Sequence, residues 1–169
     1  MPGHKNMQKQ FPVSILVDYE PTPDNRWQAG RWRVSGLVAG GQGQGEEIRH
    51  TRLRGDAEDR QFLWTGFNVE LHKDDVESYY FNIVSDTPRI FVIYTLDDDG
   101  PLRPLIVTLS FDEAGSYMES EEVVESVAMP AELYRWVEQF VLEHYVPEKK
   151  KKRKRESWKG ASREQSPGH

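Results

Sequence analysis

The chain has 169 residues, of which 37% are hydrophobic, 11% aromatic and 30% charged, with five tryptophans, a net charge of −6 and no cysteine. That length fits one domain with tails, and the aromatic content is too high for a chain that stays unfolded. The lack of cysteine excludes disulfides, thiolate-held zinc, iron–sulfur clusters, and any thiol nucleophile or persulfide carrier.

Residues 1–10 are polar and aperiodic and are expected to be disordered; the folded domain is expected to span 11–147. Pro12–Tyr19 alternates as a strand should, and Pro21-Thr-Pro-Asp-Asn25 reads as the turn that ends it. Arg31–Val38 predicts a second strand with Trp32, Val34 and Gly36 on one side, and the register shift at Leu37 suggests a bulge at Gly36. Gly40–Gly45 reads as a flexible hairpin-type loop. Ile48–Arg54 is a weaker strand, and Gln61–His72 a long one with Phe67, Val69 and Leu71 sharing a face.

The spacing then changes. Val76, Tyr79 and Tyr80 fall at i, i+3, i+4 behind Asp74 and Asp75, which predicts a short helix with acids at its N-terminus. Arg89–Leu96 is a continuous apolar run, the pattern of a central strand buried on both faces. After a turn at Asp97–Pro101, Leu105–Phe111 should return antiparallel to it. Asp112–Glu119 predicts a short helix with Asp112 as its cap, and Val123–Met129 a last strand. From Pro130, placed as the first helical residue, Leu133, Trp136, Val137, Phe140 and Val141 form one apolar stripe that suits a sheet face, and Pro147 ends the helix. The sum is an α+β fold: a mostly antiparallel sheet of five to seven strands, flat or curled toward a barrel, with two short helices and a C-terminal amphipathic helix.

Charge is concentrated at the end. Residues 149–155 read KKKKRKR; removing those seven positive charges from −6 leaves −13, and 156–169 are balanced. An acidic body therefore precedes a basic tail, 148–169, expected to be disordered. Polyanion binding would have to come from that tail, since the body repels nucleic acid and anionic membrane. No apolar run approaches the ~18 residues of a membrane span, and no start resembles a signal peptide, so a cytoplasmic protein is expected.

The motifs argue mostly by what they lack. The Gly40–Gly45 loop has no following Lys-Ser/Thr, so it is not a P-loop. It also lacks the Arg-Met-Gly and Lys of a molybdenum-cofactor nucleotidyltransferase, and Glu46 and Glu47 would repel a triphosphate. Glu70, His72 and Asp74 alternate on one strand face and offer metal-ligand chemistry, but no HxH or HExxH spacing supports a metal site. Asp97-Asp-Asp-Gly100 lacks the later ligands of a calcium loop. No Gly-x-Ser-x-Gly occurs, and neither His72 nor His144 has a triad partner at diagnostic spacing. Expectation: no catalytic residues, no cofactor and no enzyme.

Two groups remain as partner-binding candidates. Arg26, Trp27, Arg31 and Trp32 interleave aromatics with arginine, which suits either stacking on a partner or a core plug with snorkelling guanidinium groups. Lys149, Lys150, Lys151, Lys152, Arg153, Lys154 and Arg155 suit an acidic partner, RNA or an anionic surface, or act only as a solubilising tail.

Phe11-Pro-Val-Ser-Ile15, Trp27…Trp32-Arg-Val34, Trp64-Thr-Gly-Phe…Glu70-Leu-His72, Glu77-Ser-Tyr-Tyr-Phe-Asn82 and Pro88-Arg-Ile-Phe-Val92 form one set. Val107-Thr…Glu113-Ala114, Val127-Ala-Met-Pro130 and Trp136-Val…Phe140-Val141, running into the basic cluster, extend it. The set resembles a bacterial family of unassigned activity that genomes encode beside molybdenum- or tungsten-dependent formate dehydrogenase genes. The resemblance implies an accessory role in making or assembling that enzyme, with a subunit or another maturation factor as partner; it supplies no site residues. Sulfur transfer would need a thiol, so the expected role is physical holding. The competing readings are a cryptic metal-dependent enzyme using Glu70, His72 and Asp74, and a nucleic-acid binder acting through the tail.

Overall fold

A computed structural model of the chain describes residues 9–20, 30–40, 47–54, 60–96, 102–120 and 122–147. The first long alternation becomes β1 (Gln10–Glu20), whose inward residues Val13, Ile15, Val17 and Tyr19 are buried. It pairs antiparallel with β2 (Arg31–Ala39) on one side and β4 (Arg60–Glu70) on the other. β3 (Arg49–Arg54) adds outside β4, giving the order β2-β1-β4-β3. The expected bulge in β2 is present. Leu16 faces Gly36 and Val17 faces Val34, so Ser35 is left over, and its hydroxyl donates to the Leu16 carbonyl at 3.2 Å. A second irregularity lies on β4, where Gly66 takes a φ of +95°; a Cβ there would stand 2.6 Å from the Glu47 carbonyl oxygen.

β5 (Arg89–Thr95) is the central strand its apolar run predicts, flanked by β6 (Arg103–Thr108) and β7 (Val123–Ala128) in the order β6-β5-β7, both antiparallel to it. Ile90, Val92 and Tyr94 join the core shared with the first sheet. Phe91 and Ile93 point to the other face, which α2 (Phe111–Tyr117) covers. The architecture is thus α+β with antiparallel strands, but the seven strands divide into a four-stranded and a three-stranded sheet rather than one. β7 runs close to β2 and β6 close to β4, yet no strand ladder joins those edges among the described residues, so no barrel closes. One carboxylate links the first seam: Glu125 Oε1 accepts from the Val34 amide at 3.1 Å and the Tyr94 hydroxyl at 3.2 Å. Burial, reinforced by the Glu125 charge, pushes the Tyr94 hydroxyl up to about 12.

β4 stops at Glu70 rather than His72, because Lys73–Asp75 form a 3-10 turn leading into α1 (Val76–Ile83). Asp74 and Asp75 sit at the start of that helical segment, as expected. β6 likewise ends at Thr108, not Phe111, and the cap of α2 is Ser110 rather than Asp112. Ser110 is fully buried and its Oγ accepts from the Glu113 amide at 3.0 Å, satisfying one of the free N–H groups of the first turn. Asp112 faces solvent inside the helix.

Pro130 caps α3 (Ala131–His144) and is not its first helical residue. Leu133, Val137, Phe140 and Val141 are buried as the stripe predicts. Their main neighbour is α1, with the Phe140 and Tyr79 rings 6.0 Å apart, while Trp136 packs 5.1 Å from Phe11 at the start of β1. The helix pair therefore closes one end of the core. No helix among the described residues is long and apolar enough to cross a membrane.

Candidate functional site

Of the residues singled out from the sequence, Arg26, Trp27 and Lys149–Arg155 lie outside the described residues, as do residues 1–8, Pro21–Asn25, Gly41–Gly45, Asp97–Gly100 and Pro101. Arg31 is exposed at the start of β2. Its neighbour Trp32 is half-buried and turns inward, 4.9 Å from the Tyr19 ring and 5.8 Å from Phe62. A cation does lie on these rings: the Arg60 guanidinium is 4.6 Å from the centre of Tyr19 and 5.6 Å from Trp32. Trp64 is buried in the same row, stacked on His50 at 4.6 Å.

Glu70 and His72 remain neighbours, with Nε2 of His72 3.6 Å from Glu70 Oε1, and Gln10 Nε2 donates to the other Glu70 oxygen at 2.9 Å. Both side chains are about half-exposed, and among the described residues no three His, Asp or Glu side chains are grouped so as to hold a metal. The main chain here is tightly placed. The His72 amide donates to the Tyr79 hydroxyl at 3.0 Å, and burial pushes that hydroxyl up to about 12 although the amide bond opposes the shift. Burial, then the charge of Glu113, raises Asp75. A cleft of about 350 Å³ opens between the end of β4 and β6, lined among others by Asn68, His72 and Glu113. Glu113 is already engaged there, accepting from Thr108 Oγ1 at 2.6 Å.

A cleft of about 650 Å³ lies where neither sequence candidate pointed: on the outer face of the second sheet, between α1 and the start of α2. Ser78 holds its two walls together, accepting from the Phe111 amide at 3.1 Å and from the Ser110 hydroxyl at 3.2 Å. Asn82 fixes the base of α1 to the sheet, receiving the Arg89 amide at 2.9 Å and donating to the carbonyls of Arg89 at 2.7 Å and Leu109 at 3.0 Å. Phe91 lines the cleft from below, buried, with its ring 5.8 Å from Phe111 and edge-on to it. Phe81 and Phe111 line it from the two helices and are 56% and 61% exposed. Arg89 crosses from β5 to β7, donating through Nε to Ser126 Oγ at 3.2 Å and through Nη2 to the Ser126 carbonyl at 2.9 Å.

The match to known sequence patterns is nearly full-length: residues 12–154 fit the model of a family described as "Protein of unknown function (DUF3305)". The chain belongs to the DUF3305 family. The matched span takes in the described elements from β1, less its first two residues, to α3, and six of the seven consecutive basic residues that follow α3. No curated protein and no solved structure matches the chain significantly. The DUF3305 assignment carries no activity, so what this protein can do has to be read from its own surface. There, the exposed phenylalanine pair, facing one cleft, is a feature that a folded core does not explain. A signal for it exists in the sequence: Phe81 is out of phase with the Val76, Tyr79, Tyr80, Ile83 stripe of α1.

Proposed function

We propose that this protein is a non-enzymatic accessory factor for a molybdenum- or tungsten-dependent formate dehydrogenase, acting in the bacterial cytoplasm by holding a subunit or another maturation factor. The resemblance of residues 11–155 to proteins encoded beside that enzyme supports the context. The observation that carries the mode of action is the α1–α2 cleft, where two large apolar rings stand exposed over a buried third. Exposed aromatic surface beside a concavity is the chemistry of association: burying it on a partner removes apolar area from water at roughly 25 cal/mol per Å². Ser78 and Asn82, two of the polar side chains that line the cleft, are engaged in holding its walls, so its shape is set by the fold.

Deleting the gene and assaying formate oxidation tests the reading. Loss of activity with under-loaded or unassembled formate dehydrogenase is expected, together with co-purification of a subunit or maturation factor on the tagged chain. Undiminished activity with full cofactor loading ends it.

A further inference from the structure

Among the described residues, Arg89 is the one cationic side chain lining the α1–α2 cleft, and it is set in place before any partner arrives. Ser126 takes up its Nε and one Nη2 hydrogen. Among the described residues, the rest of the five guanidinium donors have no acceptor and no carboxylate lies within ion-pair distance. A half-buried charge without a counterion is costly, and a carboxylate meeting the guanidinium as a two-pronged pair would relieve that cost.

We propose that the cleft binds a segment of the partner protein in which a carboxylate adjoins a large apolar side chain, the carboxylate on Arg89 and the apolar group between Phe81 and Phe111 above Phe91. This inference rests on the reading of the protein as a protein-binding accessory factor and names the chemistry of the segment it binds. The volume, about 650 Å³, is of the order that takes a few residues rather than a folded surface. Glu77 and Asp112 also line the cleft and repel an anion, and they decide against a phosphate because the cost of desolvating an anion rises roughly with the square of its charge, whereas its attraction to the single Arg89 rises only linearly. The same two acids favour a basic residue elsewhere on the bound segment.

The test uses the full chain, isotopically labelled for NMR, titrated with acetyl-Phe-Asp-amide and with its neutral twin acetyl-Phe-Asn-amide. Saturable shifts confined to the amides of residues around Phe81, Arg89, Phe111 and Ser126 are expected for the Asp peptide. Binding should weaken about 10–100-fold for the Asn peptide or on Arg89→Gln, the range for a lost charged hydrogen-bonded pair. Arg89→Lys should fall between, since it keeps the charge and loses the fork. Equal binding of the two peptides, shifts elsewhere, tighter binding of a phosphoserine analogue, or no saturable shift at about 10 mM peptide would overturn the proposal. Should Arg89→Gln fail to fold, the exposed-site variant Phe81→Ser carries the same comparison and is expected to lose the shifts. Capture from native cells separates the two levels. If the wild-type chain and the Arg89→Gln and Phe111→Ser variants capture a formate dehydrogenase subunit equally, the cleft proposal is wrong and the accessory role stands. If the wild type captures none while the Asp peptide binds through Arg89, the accessory role is wrong and the cleft stands.

Discussion

Among the described residues, an arginine lies on aromatic rings at the inner face of the first sheet and another shares a cleft with them at the outer face of the second, and the two settings use the same residue types differently. Inside, Arg60 lies across Tyr19 and Trp32, whose rings in turn touch each other and Phe62. Each ring there packs on another, and folding already removes much of its apolar area from water: Tyr19 is buried, Trp32 and Phe62 are half-buried. Outside, Arg89 is held by a serine and not by rings, and Phe81 and Phe111 keep more than half of their surface exposed. An aromatic–arginine cluster therefore marks an interaction surface only where the rings remain uncovered. The distinction depends on which face of which strand or helix carries them, not on composition.

The comparison predicts that the enclosed region governs stability and the cleft governs association. The largest effect belongs to the closed end of the core. Phe140 is 1% exposed and packs against Tyr79, so Phe140→Ala should cost about 3–5 kcal/mol in urea unfolding. A loss below about 1 kcal/mol would mean that α3 is a loose cover rather than part of the core. Next comes Gly66→Ala, expected to destabilise by about 1–3 kcal/mol, because the left-handed backbone there and the Glu47 carbonyl both exclude a Cβ. Ser110→Ala should cost about 1–2 kcal/mol by removing the cap of α2, and should loosen the cleft wall through the lost Ser78 contact. A parallel drop in peptide affinity would show that the wall is rigid by virtue of that cap.

Much of this arrangement follows from local patterns in the chain. The doubly buried β5, the bulge beside Gly36 and the buried stripe of α3 all follow from periodicities that involve neighbours in sequence. The division into two sheets does not, because it is set by which strand edges meet across long stretches of chain: Glu125 of β7 reaches Val34 of the first sheet across 91 residues. Ser110 and Asp112 are both chemically able to cap, and the choice between them was settled by where β6 ends. The Arg89–Ser126 pair was equally hidden: the two residues are near each other only through the β5–β7 register. The phase of Phe81 on α1 was open to sequence reading, and it is the element of the cleft that periodicity alone could have flagged.

A pH dependence distinguishes the enclosed tyrosines from ordinary ones. Tyr94 and Tyr79 both hold their protons up to about pH 12 in the folded protein, against about 10 in an unfolded chain. Below pH 10 both states are protonated and these groups contribute no slope. Between about 10 and 12 the unfolded chain releases its protons first, so stability should fall as pH rises. Tyr94→Phe should make that fall shallower in urea midpoints measured across the range, while the folded wild type delays the tyrosinate absorbance. An unchanged slope would mean that Tyr94 is not shielded at the Glu125 seam.

The smallest expected effect separates the two regions most sharply. Phe81→Ser removes a ring that is 56% exposed and off the buried stripe of α1, and serine and phenylalanine have similar helix propensities. Its stability change should stay within about 0.5 kcal/mol, the usual range for a surface substitution. If the ring were instead a structural part of α1, through its 5.3 Å contact with Tyr80, the loss would approach the roughly 0.5–1.5 kcal/mol of an aromatic pair, plus the burial it forfeits. The comparison requires the first result together with lost capture of the partner segment, because a ring that stabilises nothing in the free protein and is needed in the complex has association as its use. A variant that is destabilised and still binds would place Phe81 with Trp32 and Tyr19, among the rings the fold itself consumes.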